Sequence, residues 1–195
     1  MPRPASPGEM LQTIRRNIHT ETHKTFEQWL VVARKAGIKK HKELTNWLKQ
    51  EKGLRHNQAI WIAWEVIEPG RASQYENPGQ LLDALYSDKK AHLRPIYDAI
   101  IKACHKMDSD IKVVVCKTYS SLRTKAQFAI IIPRTQSAID IELALPPKTK
   151  STNLLEAYSG HNEKFNFRIR VPCIAEVNAS VLSAINAANN FITTQ

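Results

Sequence analysis

The spacing of apolar residues changes once along this chain, and that change limits what it can fold into. Up to about Met107 they recur at helical intervals; from Ile111 they begin to alternate with polar residues, as in half-buried strands. Helices followed by a run of strands define an α+β chain. The helical start is well marked. Ser6-Pro7-Gly8-Glu9 has the form of a capping box, with proline where no N–H is needed. Met10, Ile14 and Ile18 then share one face. Thr25 and Gln28 repeat the box and open a second helix carrying Phe26, Trp29, Leu30 and Ala33, stopped at Gly37. A third helix is expected from about Lys40 to Lys52 with Leu44, Trp47 and Leu48 inside, and Gly53 as its stop. A fourth, from about Asn57 to Ile67, places Ile60, Trp64 and Ile67 together. All four tryptophans lie in this stretch, which helps so short a segment bury enough surface.

Residues 69–79 contain two Pro-Gly pairs and almost no large apolar side chain, and are read as a linker. It separates a helical bundle, 1–68, from a second domain, 80–195. That domain opens with helices near Gln80–Tyr86 and His92–Met107. Its strands are expected in four runs: Ile111 through Arg123, Gln127–Ile132, Ile139–Leu145 and Phe165–Val171. One polar face per strand predicts a four-stranded antiparallel sheet covered on a single side. The segment Ile174–Phe191, with Val177, Val181, Ile185 and Ala188 at helical spacing, is its natural cover.

The chain has 195 residues and a mass of 22.2 kDa, enough for one medium domain or two small ones. No apolar run approaches the roughly 18 residues of a membrane span, and Met1 to Glu9 lack the apolar core of a signal peptide. Cys104, Cys116 and Cys173 are odd in number and far apart, which predicts a reducing, cytoplasmic setting. Six glycines leave no room for a glycine-rich phosphate loop. The net charge is +10, and it is shared: residues 1–76 hold 13 basic and 8 acidic side chains, residues 77–195 hold 15 and 10. A basic excess spread over both halves points to DNA or RNA as a partner.

Several runs carry a resemblance. Ser6-Pro-Gly-Glu-Met10, Thr25-Phe-Glu-Gln-Trp-Leu30 and Lys40-His-Lys-Glu-Leu44 with Trp47-Leu48 resemble a small helical bacterial domain of unknown function. Leu93-Arg-Pro-Ile-Tyr97, Cys116-Lys-Thr-Tyr-Ser-Ser-Leu122, Phe128-Ala-Ile-Ile-Ile-Pro133 and Asp140-Ile-Glu-Leu143 are similar to a second such domain. The resemblance implies a two-domain bacterial protein in which the two are joined. Relatives of the second domain have been labelled predicted transport proteins, a label at odds with the absence of a spanning run. The second domain also resembles modules attached to restriction-type nucleases, which implies nucleic acid.

Two basic clusters are candidate binding surfaces. Lys39, Lys40 and Lys42 stand at the start of the third helix, where backbone N–H groups add to the ammonium charge; Arg34, Lys35 and Arg55 extend the patch. Lys117, Arg123, Lys125 and Arg134 surround Tyr119, and strand alternation places Tyr119, Lys117 and Arg123 on one side, as stacking on a base or binding a phosphorylated ligand would need. Arg168 and Arg170 widen that surface. The plain alternatives are a solvated basic surface and edge-strand protection. Asp140 and Glu142 share one side of a strand, where they stand solvated, bind a divalent ion, or pair across the sheet with Arg168 or Arg170. A restriction-type site would need lysine where Ala144 stands. His19 and His23 have metal-ligand spacing, but Glu21 is misplaced for a metalloprotease and the segment falls between helices. Cys116 beside Lys117 is read as an inert strand cysteine rather than a nucleophile, and Cys104 and Cys173 as core residues. The function expected is a basic nucleic-acid-binding or adaptor module with no catalytic residue, metal or cofactor. The alternatives are a small-ligand or metal-dependent enzyme site on the sheet at Asp140, Glu142 and Tyr119, or a bundle that docks a protein partner.

Overall fold

The computed structural model describes residues 6–150, 154–156 and 164–194; residues 1–5, part of the leader reading above, lie outside them. The chain divides into two compact units, one running through Pro78 and the other beginning at Gly79.

The first unit is built on α1 (Pro7–Thr22), α2 (Phe26–Lys35), α3 (His41–Gln50) and α4 (His56–Ile67). Both capping boxes form. The Glu9 and Ser6 N–H groups each donate to the other's side chain at 3.1 Å, and Thr25 and Gln28 make the same exchange at 2.8 and 3.2 Å. Gly37 and Gly53 follow α2 and α3 with φ of 68° and 69°, conformations that suit glycine at a helix stop. α1 runs on to Thr22 and is capped by His23 in the left-handed region. His19 is therefore helical and His23 is not, so their i,i+4 spacing breaks at its last residue. The core gathers Leu11, Ile18, Phe26, Leu44, Leu48 and Ile62. α4 is rotated from its expected setting: Ala59, Ile62 and Ala63 are buried, whereas Ile60, Trp64 and Ile67 are only half-buried. That helix is apolar nearly all round, so spacing allowed either side, and packing against α2 and α3 chose one.

The stretch expected as a linker is part of this unit. It contains a helical turn, α5 (Arg71–Gln74), and Ala72 is fully buried in the core. The Glu65 carboxylate accepts from the Gly70 and Ala72 N–H groups, each at 2.9 Å. The Arg71 guanidinium lies 4.5 Å from the centre of the Trp64 ring, and Tyr75 meets Trp61 edge-on at 5.5 Å. Tyr75 also comes so close to α1 that a Cβ on Gly8 would stand 2.5 Å from its carbonyl oxygen. Pro-Gly pairs mark turns, but they say nothing of what the residues between them touch.

The second unit carries α6 (Pro78–Leu85), a 3-10 turn (Asp88–Leu93), α7 (Arg94–Met107), a six-stranded sheet and α8 (Ala179–Thr193). The strands are β1 (Lys112–Val115), β2 (Ser120–Arg123), β3 (Gln127–Ile132), β4 (Ile139–Leu143), β5 (Leu155–Glu156) and β6 (Phe167–Val171). All pairings are antiparallel, in the order β1-β2-β3-β4-β6-β5. Six strands replace the expected four for two reasons. The run from Ile111 to Arg123 folds into a hairpin, with the Cys116 N–H donating to Tyr119 O at 2.8 Å. The turn carries no glycine, proline or asparagine to announce it. β5 is two exposed residues, too short to leave a pattern.

One face of the sheet packs against α7 and α8 through Leu122, Ile131, Ile139, Ile141 and Ile169, with Ile100, Cys104, Val181 and Ile185 opposite. The other face is not the open, solvated side the alternation suggested. Ile130, Ile132, Ala144 and Phe165 form a second apolar cluster there, and Asp140 and Glu142 are wholly buried. Cys173, expected in the core, is exposed, because β6 ends at Val171 and the chain has left the sheet.

Candidate functional site

The alternation of β4 and β6 places four charged side chains on the second face in register. Asp140 pairs with Arg170 and Glu142 with Arg168. The Arg170 guanidinium grips Asp140 through Nε and Nη2, at 3.0 and 3.3 Å. Arg168 Nη1 and Arg134 Nε approach the same carboxylate at 3.8 Å, and Arg134 Nη2 donates to Glu142 Oε1. The arginine side chains are 16–39% exposed while the two carboxylates are at most 1% exposed. Buried carboxylates held this way are compensated charges: Asp140 makes the pairing across the sheet that stood as one alternative, and Glu142 is held by Arg134, which sequence spacing did not suggest. They are not a solvated pair. Among the described residues no group of three or more His, Cys, Asp or Glu side chains is placed to hold a metal ion.

This network divides the second basic cluster of the sequence. Arg134 is turned inward to Glu142 and Asp140. Tyr119 is half-buried against Ile130, Ile132 and Phe165 instead of standing free for a base. Arg123 stands near Lys164, whose ammonium is held below its ordinary value by partial burial and then by Arg123. Lys125 lies at another place, donating to the Thr193 carbonyl at 3.2 Å. Lys117 sits in the β1–β2 turn and not on a strand, so strand alternation does not fix its side. Burial pushes the Cys116 thiol up, against smaller opposing effects of the Tyr119 hydroxyl and Arg123. A raised thiol is a poor nucleophile at neutral pH.

Lys117 instead belongs to a hollow of about 560 Å³. Lys117 and Thr118 come from the β1–β2 turn, Lys89 and Lys90 from the 3-10 turn, and Gln136 from the loop after β3. Ser87 and Asp88 complete the polar lining, and Ala84 and Leu85 are its apolar residues. Asp88 is its one carboxylate among the described residues. It takes a left-handed conformation with φ of 51° and accepts from the Ser87 hydroxyl at 3.2 Å. Lys89 and Lys90 were missed in the sequence. They stand 28 and 27 positions before Lys117, with a helix between, and nothing in local spacing joins them.

The first basic cluster lies where it was expected. Lys39, Lys40 and Lys42 are exposed at the start of α3, which has no side-chain cap. Lys40 Nζ donates to Glu43 at 2.9 Å, and that bond with the Glu43 charge raises the lysine's pKa. Arg55 is engaged with Glu21 at 2.9 Å.

These features define a class: a small tryptophan-rich helical bundle followed by an antiparallel sheet unit backed by helices. The family model described as Domain of unknown function (DUF5655) matches residues 82–192, more than half of the chain, and the chain belongs to that family. A second model, Domain of unknown function (DUF4287), matches residues 10–67. The two matches give the pairing that the sequence resemblance implied. No curated protein and no solved structure matches the chain. No helix among the described residues is long and apolar enough to cross a membrane.

Proposed function

We propose that this protein is a nucleic-acid-binding module whose second unit meets phosphates at the Lys89, Lys90 and Lys117 hollow. The observation that carries the reading is convergence. Three lysines from two separate elements line one depression, with Asp88 its one carboxylate among the described residues. A polyanion is the partner that a net charge of +10 attracts. Lys39, Lys40 and Lys42 are the bundle's part in the proposal, as phosphate contacts that position without reading sequence.

Fluorescence anisotropy with labelled single- and double-stranded oligonucleotides, between about 50 and 200 mM salt, tests it. Affinity for duplex should fall by roughly 0.9 log unit per log of salt for each phosphate contacted. Charge reversal at Lys89 and Lys117 should weaken binding and flatten that slope by about one per contact removed. Absence of binding at low salt, or reversal without effect, would overturn the proposal.

A further inference from the structure

The hollow suits a more particular anion than a run of backbone phosphates. A phosphodiester carries a single charge and is joined to the strand on both sides, so it is met along a track. A phosphate monoester projects, carries about −1.5 to −2 at neutral pH, and offers three oxygens. The site has matching features. Its cations are gathered at one place, from the 3-10 turn and the β1–β2 turn, instead of being spaced along a groove. All three are lysines, compact point charges with rotatable donors that do not demand the planar partner an arginine fork prefers. Thr118 and Gln136 add neutral donors. At about 560 Å³ the hollow falls within the range of about 300–1,000 Å³ usual for small-ligand sites.

From this geometry we infer that the hollow binds a phosphate monoester, the group found at the end of a nucleic-acid strand and on a free mononucleotide. Placing that group on a strand end rests on the function proposed above. Placing it on a mononucleotide does not.

The test uses the full chain and three labelled oligonucleotides of one sequence: 5′-phosphorylated, 3′-phosphorylated and unphosphorylated. Adenosine monophosphate and adenosine serve as competitors. One of the phosphorylated ends should bind about tenfold more tightly than the plain strand, the scale of one or two charge-assisted hydrogen bonds. Lys117→Gln or Lys89→Gln should erase that difference, and Lys102→Gln on α7 should not. All three side chains are exposed, so the variants should fold, and circular dichroism checks that they do. Equal affinity for all three strands, with steep salt dependence kept, would overturn monoester recognition and leave nucleic-acid binding standing. Binding of adenosine monophosphate but not adenosine, with no strand bound, would keep the monoester site and overturn the nucleic-acid function. Binding of neither would overturn both.

Discussion

Ile141 and Glu142 are neighbours on β4 and equally hidden from water, yet the two faces they point to are stabilised in opposite ways. Ile141 joins an apolar layer closed by α7 and α8, where stability comes from surface removed from water. Glu142 and Asp140 face Arg134, Arg168 and Arg170, where each charge is tolerable only because another is present. Equal burial therefore does not mean equal contribution. An apolar side chain loses its own share when removed, whereas a paired charge also strands its partner.

The largest effect should come from splitting that network. Glu142→Ala leaves Arg134 without its main acceptor and should cost about 3–5 kcal/mol, read from urea midpoints. Exchanging the two acids and three arginines together for apolar side chains of similar volume should cost far less, or even stabilise. If the complete exchange cost as much as the single break, the two faces would not differ in the way described. Ile141→Ala should follow, at about 3 kcal/mol, as a cavity that no partner exchange can repair.

A smaller effect is expected from Asn189, a buried amide on the apolar side. It accepts from Thr124 Oγ1 at 2.6 Å and donates to Asp108 Oδ2 at 3.2 Å, tying α8 to the β2–β3 turn and the end of α7. Asn189→Ala should cost about 1–2 kcal/mol. Alkali should separate the faces further. Burial raises the Tyr86 and Tyr97 hydroxyls and pushes the Cys104 thiol from 9.0 up to about 12. The folded state then holds protons that the unfolded chain releases. The Cys104 contribution is full below pH 9.0 and is lost as pH climbs towards 12. Urea midpoints at pH 7.5 and pH 10.5 should show the fall, and Cys104→Ala should lessen it. The mildest probe is thiol labelling of the native chain: exposed Cys173 should react first, Cys116 slowly and Cys104 last. Fast labelling of Cys104 would mean that the apolar face opens readily.

Much of the frame was legible in the residues. Ser6 with Glu9 and Thr25 with Gln28 announced two helix starts, because a capping box is completed within four residues. Asp140-Ile-Glu142 and Arg168-Ile-Arg170 showed which side of its strand each charge takes, because the period of two fixes it, but a solvated pair and a cross-strand pairing fitted that spacing equally. The hairpin at Cys116–Tyr119 was hidden, since its turn has no residue that demands a turn. The segment after Pro69 gave its turns but not its docking, which depends on Glu65 and Trp64 from α4.

The sequence by itself determined what acts over short distances: the helix starts and stops, the alternation of β4 and β6, the even spread of positive charge over both halves. Tertiary structure alone decided the rest. It hid Asp140 and Glu142 from water, drew Arg134 and Tyr119 into the second face, and brought Lys89 and Lys90 to Lys117 across α7 and β1. Capping and pleat are set by bonds among near neighbours. Burial and the meeting of charges depend on which distant elements pack together, and local spacing does not record that.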